Sequence, residues 1–377
     1  MSIRRLAIGH LDSSRRTRLS GALLALSLTT GLAACGDDNA EAGEETFNAR
    51  IAAYHDESTA IVQAMDWWAT EVEKRSEGRI KFDRFYGAAL LDATGMRDGV
   101  AANQAEVGNF APGYHPGDFP LTEGLLTVPF TTTSPAAAME AIRQLYRETD
   151  EAQAEYQDQG LELIAPIAAA EGAWGMTKEW DSLDDLKGRA VRGYEGGGIN
   201  AGLRAVGANP TDLDAGEMYE SLQRGVIDGF ASMIVDAGVT LSLDEVAKYW
   251  QQVGMGVVAS AVIAANKEWY DSLPADLQEI MAETADEMTA VYMELLAETD
   301  EVACDALEQS GVEVTAFPQS EQNKLRDLIH DDQVALFESE ASGSIDDAVG
   351  YYESYKTLVA EAESEFPEES GVGRCVG

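Results

Sequence analysis

An alternation of short strand-like and longer helix-like segments is the feature that most constrains the fold. Residues 49–54 and 80–86 have the short apolar or alternating pattern of strands, and Thr59 to Arg75 between them has apolar side chains at helical spacing. The order continues with a weaker helix over 92–103, a strand over 107–111, one long helix over 135–156 and a strand over 161–167. Alternation of this kind predicts an α/β chain with mainly parallel sheets.

The second half of the chain continues the alternation. We predict a strand or crossing segment over 171–177, a capped turn over 182–186, a buried strand over 253–266 and a late strand over 312–317. From Pro274 the helical spacing lasts for roughly 35 residues, as one helix or two end to end, and residues 320–366 are predicted to be helical. A chain of 377 residues fits two lobes better than one.

The first 34 residues have the pattern of an export signal. Five arginines precede or open an apolar stretch, Leu19 to Ala34, and its length of about 16 residues is short for a membrane span. The stretch ends on Leu32-Ala33-Ala34-Cys35, which resembles the lipobox of bacterial lipoproteins and implies lipidation of Cys35. The alternative is an ordinary secretory signal cut near Ala34. Residues 35–47 are small and acidic, as expected of a flexible tether.

The net charge restricts the possible partners. The chain carries a formal charge of −41 at pH 7, which argues against nucleic acid or an anionic membrane surface as a partner. An anionic ligand would therefore need a local arginine in a shielded cleft. Arg192 lies in a strand-like run, Arg189 to Tyr194, and a guanidinium can hold a carboxylate through two parallel hydrogen bonds. The alternative for Arg192 is a structural salt bridge with one of the many acidic residues.

Two cysteines remain after Cys35. In an oxidising compartment, Cys304 and Cys375 can pair and attach the C-terminal tail to a helix. The alternative is two unpaired thiols.

Motifs of catalysis and cofactor binding are not evident. The sequence has no HExxH, CxxC, P-loop or GxSxG motif, so we predict no metal, no cofactor and no enzymatic activity. Residues 196–201 fit the dinucleotide-binding pattern G-x-G-x-x-A in a loose form. Because this match lies in the middle of an exported chain, a glycine-rich helix start is the better interpretation.

A series of motifs in the second half resembles the TRAP solute-binding proteins, the extracytoplasmic receptors of tripartite ATP-independent transporters. The motifs are Asp185-Leu186-Lys187-Gly188, Val191-Arg192, Gly207-Ala208-Asn209-Pro210, Glu217-Met218-Tyr219 and the run from Gln223 to Gly229. Shorter motifs agree in order, at Gly78-Arg79-Ile80, Val128-Pro129-Phe130, Glu245 to Tyr249, Trp269 and Leu273-Pro274. The resemblance covers approximately residues 48 to 340.

This resemblance implies a two-lobed, periplasmic-binding-protein-like α/β fold with mixed, mainly parallel sheets, crossing strands and a long lobe-spanning helix. We expect lobe 1 to comprise residues 48–170 and 256–297, and lobe 2 to comprise residues 171–255 and 298–377. The family implies no catalysis. Its members capture a ligand in the periplasm and deliver it to a small and a large membrane permease subunit. Here the receptor would also be attached to a membrane through lipidated Cys35.

The resemblance also implies a ligand site. Arg192 matches the family's carboxylate-binding arginine. Where many members carry a second arginine this chain has Trp174, and where many read Gln-Glu-Asn it reads Phe230-Ala231-Ser232. Rings in place of polar groups favour a monocarboxylate, or another organic acid, with an apolar or aromatic body over a C4-dicarboxylate. The alternative is that Trp174 and Phe230 are core residues.

Loops at strand ends supply further candidates for ligand contact. They are Tyr54, His55, Glu57, Asp92, Phe110, Tyr194 and Met255, with Tyr114 and Glu195 beside them. Glu57 or Glu195 could meet an amine if the ligand is zwitterionic, and His55 has a structural role as its alternative. Two other functions stay open: a binding protein for another transporter or a sensor, and an exported enzyme that acts on an organic acid.

Overall fold

A computed structural model of the chain describes residues 45–115, 117–193, 198–366 and 371–376. The strands are β1 Phe47–Ala53, β2 Ile80–Phe85, β3 Val107–Phe110, β4 Leu161–Ala168, β5 Ala173–Met176, β6 Ala190–Arg192, β7 Asn209–Thr211, β8 Gly229–Met233, β9 Tyr249–Gln252, β10 Ser260–Asn266 and β11 Glu313–Ala316. The α-helices are α1 Ala60–Arg75, α2 Met96–Ala101, α3 Glu123–Leu126, α4 Pro135–Glu148, α5 Asp150–Gln157, α6 Ile199–Ala205, α7 Met218–Gln223, α8 Val235–Thr240, α9 Leu243–Val246, α10 Lys267–Ser272, α11 Ala275–Ser310, α12 Gln319–Ala341 and α13 Ala348–Glu363.

The strands form two mixed sheets. The first has the order β2-β1-β3-β10-β4, in which β1 is parallel to β2 and β3, and β10 is antiparallel to β3 and β4. The second has the order β11-β9-β5-β8-β6-β7, in which β5 is antiparallel to β8 and β9. The predicted α/β class is therefore confirmed, with antiparallel strands inserted where the chain passes from one sheet to the other.

Two segments of the chain join the sheets. Residues 169–172 lead from the end of β4 to the start of β5, and residues 253–259 lead from the end of β9 to the start of β10. The predicted strand over 253–266 is wrong in its first half, because Gly254 and Gly256 both have φ +76°. That left-handed conformation interrupts a strand and is readily adopted only by glycine.

The long helix contacts the cores of both sheets. Helix α11 runs unbroken for 36 residues, so one helix is present rather than two. Its Leu277 and Met288 belong to the core beside the first sheet, and its Ala303 and Leu307 to a core beside the second. Buried Trp68 of α1 donates from Nε1 to the carbonyl of Met281 at 3.1 Å, which attaches α1 to this helix.

Two helix predictions need correction. The single helix predicted over 135–156 is two helices, because Thr149 has an extended backbone, with φ −124° and ψ 111°, between α4 and α5. Helix α2 is shorter than predicted, since Asp92 lies in the turn before it and accepts a hydrogen bond from the amide of Gly95 at 2.8 Å.

The assignment of the C-terminal helix to lobe 2 also differs from the structure. The buried side chains of α13, among them Tyr351, Tyr352 and Tyr355, belong to the core of the first sheet. The reason is the amphipathic stripe of α13, which meets the apolar face of α4. The other predicted lobe boundaries stay predictions.

A disulfide attaches the C-terminal segment to the long helix. Cys304 of α11 is bonded to Cys375, which ends the 3₁₀ helix Gly371–Cys375. The amide of Gly371 donates to Oδ2 of buried Asp300 at 2.6 Å, and the amide of Val372 donates to the carbonyl of Glu171 at 3.0 Å. The segment therefore packs against one of the two connections between the sheets.

Candidate functional site

The candidate site is the edge of each sheet that is formed by the carboxyl ends of its parallel strands. In the first sheet, parallel β1 and β3 end near Tyr54 and Phe110, and antiparallel β10 begins at Ser260 on the same edge. In the second sheet, parallel β6 and β8 end at Arg192 and Met233 on the edge where β5 begins. The segments 169–172 and 253–259 leave from these two edges. Ligands in α/β proteins commonly bind at the carboxyl ends of strands, so the candidate cleft lies between these edges.

The two connecting segments are tied together at Glu171. Its carboxylate is buried, with 2% of the residue exposed, and accepts a hydrogen bond from the side chain of Gln252 at 3.0 Å. Burial raises the pKa of Glu171, and hydrogen bonds from Gln252 and from the backbone of Gly256 and Gly254 oppose that rise. A movement of one sheet relative to the other would therefore have to change the hydrogen bond between Glu171 and Gln252.

Arg192 is the last residue of β6 and is half-buried. It is paired in register with Thr211 of β7 and Phe230 of β8. Its Nε donates to the carbonyl of Leu213 at 3.2 Å, which orients the plane of the guanidinium. Strand β6 thus places Arg192, the predicted carboxylate anchor, at the end of the second sheet where an anionic ligand could bind.

Trp174 lies in the core rather than in the cleft. It is fully buried on β5, its ring stacks on Trp180 at 6.5 Å, and a Cβ built on Gly202 of α6 would lie 3.8 Å from its ring. Its buried indole Nε1 has no hydrogen-bond partner among the described residues. The structure therefore favours the core alternative for Trp174.

Phe230 also lies in a core, on the opposite face of the second sheet. Its ring is fully buried, meets Trp250 edge-on at 5.1 Å, and would lie 2.2 Å from a Cβ built on Gly175. The core alternative again fits better. The ring of Phe230 therefore belongs to the core that also contains Trp250.

Ser232 has an unusual backbone at the same edge. It is half-buried, with φ +53°, next to a bulge in the pairing of β5 with β8. A Cβ on Gly172 would lie 2.6 Å from the carbonyl carbon of Ser232, so the strand passes very close to the first connecting segment. Such left-handed conformations in residues other than glycine are costly and occur often at functional sites.

The first sheet contributes an aromatic wall. Tyr54 is half-buried and lies against His55, with ring centroids 3.9 Å apart, and against Tyr114, with centroids 6.3 Å apart. Burial raises the pKa of Tyr54, and the nearby Tyr114 and Glu123 raise it further. Tyr114 is 53% exposed, so this wall presents ring surface to solvent.

His55 has a defined tautomer in its neutral form. Burial lowers its pKa, against the hydrogen bond with Asn109, which raises it. Its Nδ1 lies 3.0 Å from Oδ1 of Asn109, while Nδ2 of Asn109 donates to the carbonyl of Val262 at 3.2 Å. Because Oδ1 of Asn109 can only accept, Nδ1 of His55 carries the proton and Nε2 is an acceptor.

Four other predicted contacts have different surroundings. Phe110 is fully buried and packs on Phe119, with ring centroids 5.6 Å apart. Met255 is buried between the two left-handed glycines, and its carbonyl accepts from the amide of Phe130 at 2.8 Å. Glu57 is exposed in the loop after β1, and exposed Asp92 caps a turn. Packing or capping therefore explains Phe110, Met255 and Asp92.

Three predicted positions fall elsewhere. Tyr194, its neighbour Glu195 and the proposed lipidation site Cys35 lie outside the described residues. Within the described ranges, no helix combines the length and apolar character needed to cross a membrane, and no group of three or more His, Cys, Asp or Glu residues is arranged to hold a metal ion.

The sequence prediction missed Glu123, the first residue of α3. Its carboxyl accepts a hydrogen bond from the hydroxyl of Ser260, and a Cβ on Gly113 would lie 3.7 Å from its Oε1. Burial raises the pKa of Glu123 to about 7, while the hydrogen bond from Ser260 lowers it. No local motif marks this residue, since its partner lies 137 positions later in the chain.

Comparison with known proteins agrees with this architecture. Residues 51–339 match the family model of bacterial extracellular solute-binding proteins, family 7 (DctP). The chain belongs to this family. The resemblance to TRAP solute-binding proteins is thereby confirmed.

Individual relatives are distant. A solute-binding protein of Albidiferax ferrireducens is 24% identical over 278 residues, which are 69% of this chain and 73% of the relative. The C4-dicarboxylate-binding periplasmic protein DctP of Rhodobacter capsulatus is 27% identical over 166 residues, 43% of this chain and 49% of the relative. The crystal structure of a TRAP solute-binding protein from Rhodoferax ferrireducens, with copurified benzoate, has a TM-score of 0.74 at 21% identity and covers 86% of this chain and 100% of that one.

Proposed function

We propose that this protein is the extracytoplasmic receptor of a TRAP transporter and captures an organic acid between its two sheets. The observation that carries the proposal is the position of Arg192 at the end of β6, on the edge from which both connecting segments leave. A guanidinium there can bind the carboxylate through charge-assisted hydrogen bonds. The protein then delivers the acid to a membrane permease made of a small and a large subunit.

The body of the ligand would meet the aromatic wall of the first sheet. Tyr54, His55 and Tyr114 lie together on that wall, whereas Trp174 and Phe230 are in cores. The preference for an acid with an apolar or aromatic body therefore rests on the first sheet rather than the second. The benzoate complex of the Rhodoferax protein supports a ring-bearing acid, and the name of the Rhodobacter relative supplies the competing class, a C4-dicarboxylate.

Two lobes closing on the ligand would complete the receptor. We propose lobe 1 as residues 48–170 and 256–297 together with α13, and lobe 2 as residues 171–255 with the remaining C-terminal part. Closure would bring Arg192 and Ser232 of one lobe towards Tyr54 and His55 of the other. The protein would release its ligand unchanged, because its role is binding and not catalysis.

The anchor can be tested with a matched pair of variants. Arg192→Ala removes the guanidinium at the cleft edge. Arg224→Ala removes an arginine that is 70% exposed and forms a surface ion pair with Glu220. Truncation of a hydrogen-bonded charge partner costs at least about 2 kcal/mol of binding, or about 30-fold in Kd. We expect that loss only in Arg192→Ala, measured by calorimetry with the best acid from a thermal-shift screen.

The outcomes separate the possible functions. Wild-type affinity in Arg192→Ala would show that Arg192 does not bind the carboxylate. Conversion of the acid into a product would show that the protein is an enzyme and not a receptor. A screen led by succinate and malate would favour a dicarboxylate over a ring-bearing acid.

We also propose that the receptor is exported to the periplasm and attached to a membrane through lipidated Cys35. The support is the apolar stretch that ends on Leu32-Ala33-Ala34-Cys35. In a bacterial host, Cys35→Ser should move the protein from the membrane fraction to the soluble fraction. An unchanged distribution would contradict the anchor and leave an ordinary secretory signal.

A further inference from the structure

Glu123 lies beside the strand ends of the first sheet that border the candidate cleft. It contacts Ser260, the first residue of β10, and lies near Tyr54, whose pKa its charge raises. Its residue is half-buried. Among the described residues no cation is paired with Glu123, and the contact with Ser260 supplies one hydrogen bond to a group that can accept up to four.

His55, which lies against Tyr54, adds a second acceptor to the same wall. Its Nδ1 donates to Asn109, which leaves Nε2 as an acceptor when the ring is neutral. The described part of this wall therefore offers a carboxyl oxygen and an imidazole nitrogen as acceptors. The opposite wall offers a guanidinium, which only donates. A ligand that matches both walls has an acceptor at one end and a donor at the other.

We propose that Glu123 recognises a hydrogen-bond donor on the end of the ligand remote from its carboxylate, so that the preferred ligands are ring-bearing acids that also carry a hydroxyl or N–H group. This inference rests on the proposed function, because it takes the carboxylate to be held by Arg192. It names Glu123 as a specificity-determining residue of that site.

The physical reason is the cost of the buried carboxyl. Within the described residues, Glu123 receives one hydrogen bond, from Ser260, and has no paired cation, so its ionised form is poorly compensated. Burial accordingly raises the pKa of Glu123 to about 7. A donor on the ligand supplies the missing compensation, and a hydrogen bond to a charged group is among the stronger kinds. A second carboxylate on the ligand would instead meet a like charge, so dicarboxylates are disfavoured at the same point.

The test compares matched ligands on matched variants. The probes are benzoate, 3-hydroxybenzoate, 4-hydroxybenzoate and succinate, and the readout is Kd by titration calorimetry at pH 8. The variants of the full chain are Glu123→Ala, Glu123→Gln and, as a control, Glu151→Gln, which changes an exposed carboxylate of the same lobe. Melting temperatures establish that each variant is folded.

The expected result is a preference that depends on Glu123. The wild type should bind one of the hydroxybenzoates about tenfold or more tighter than benzoate. Glu123→Ala should reduce that preference to about twofold or less, and Glu151→Gln should preserve it. Glu123→Gln should keep part of the preference, because an amide oxygen still accepts but without charge.

Several results would overturn the proposal. Among them are equal binding of benzoate and both hydroxybenzoates by the wild type, and a preference that persists in Glu123→Ala. If Glu123→Ala does not fold, Glu123→Gln decides: a preference reduced about threefold or more supports the proposal, and an unchanged one refutes it. If Arg192→Ala weakens the binding of acids but the wild type shows no preference for a hydroxyl group, this inference is refuted and the proposed function is not. An absence of binding by any organic acid refutes the proposed function itself.

Discussion

The disulfide between Cys304 and Cys375 should contribute a large part of the stability of the second half of the molecule. It closes a loop with a sequence separation of 71 residues. Replacing both cysteines by serine would release the C-terminal segment from α11. The hydrogen bonds from Gly371 to Asp300 and from Val372 to Glu171 would then hold the segment without a covalent link.

The magnitude follows from the loop length. Closing a loop of this size removes about 15 cal/mol/K of entropy from the unfolded chain, or about 4 kcal/mol at 25 °C. With an unfolding entropy of about 2.1 cal/mol/K per residue over about 330 folded residues, that loss lowers Tm by about 6 °C. Variants that also weaken the contact at Glu171 would lose more.

The assay is thermal unfolding at constant pH. It compares the oxidised wild type, the wild type with reductant, and the Cys304→Ser/Cys375→Ser double variant, with Cys35→Ser as the matched control. We expect reductant to lower Tm only in the proteins that keep the bond. Peptide mapping without reduction should recover one cross-linked pair containing Cys304 and Cys375. Two separate peptides, or a double variant with unchanged Tm, would refute the reasoning.

Three further predictions concern stability and packing. Burial raises the pKa of Asp300 from 3.8 to about 6, so the folded state binds this proton more tightly than the unfolded chain does. The free energy of unfolding should therefore fall by at most about 3 kcal/mol as pH rises from about 4 to about 6. Denaturant titrations at each pH should show that Asp300→Asn removes this part of the pH dependence. Gly175→Ala should destabilise the fold by about 1–3 kcal/mol or more, because the new Cβ would lie 2.2 Å from the ring of Phe230. The control is Gly216→Ala, whose new Cβ would have no neighbouring atom within 4 Å and should change the denaturant midpoint little. Trp174→Phe removes a buried N–H that has no hydrogen-bond partner in the described chain, and we expect a ligand affinity within about twofold of the wild type. A tenfold loss of affinity in calorimetry would indicate that Trp174 contacts the ligand after all.

The position of Arg192 could be predicted because it depends on local patterns. A short strand ends on the arginine, and the motifs around it have the order and spacing of a known family. The rings of Trp174 and Phe230 could not be placed in the same way. Each lies on a strand buried on both faces, and the bulge between β5 and β8 shifts the register at this point. Motif position therefore identified the strand but not the side to which its rings point.

Glu123 shows the same limit more strongly. The chain has 67 acidic residues, and nothing in the neighbourhood of Glu123 distinguishes it from the others. Its hydrogen-bond partner Ser260 lies 137 positions later in the chain, at the start of β10. Long-range pairing of this kind has no local signal. Asp92 shows the opposite case, since its carboxylate accepts a hydrogen bond from the amide of Gly95 in its own loop; a ligand contact by Asp92 stays a prediction.

The sequence by itself determined the α/β class, the order of most helices and strands, the family, and the arginine at the end of β6. These features follow from periodicity, turn residues and motif spacing, all of which act over short stretches of chain. The tertiary structure alone decided which rings are buried in the cores, where α13 packs, and that Glu123 contacts Ser260. Those outcomes depend on contacts between residues far apart in the chain, and their energies come from burial and pairing that exist only once both sheets are assembled.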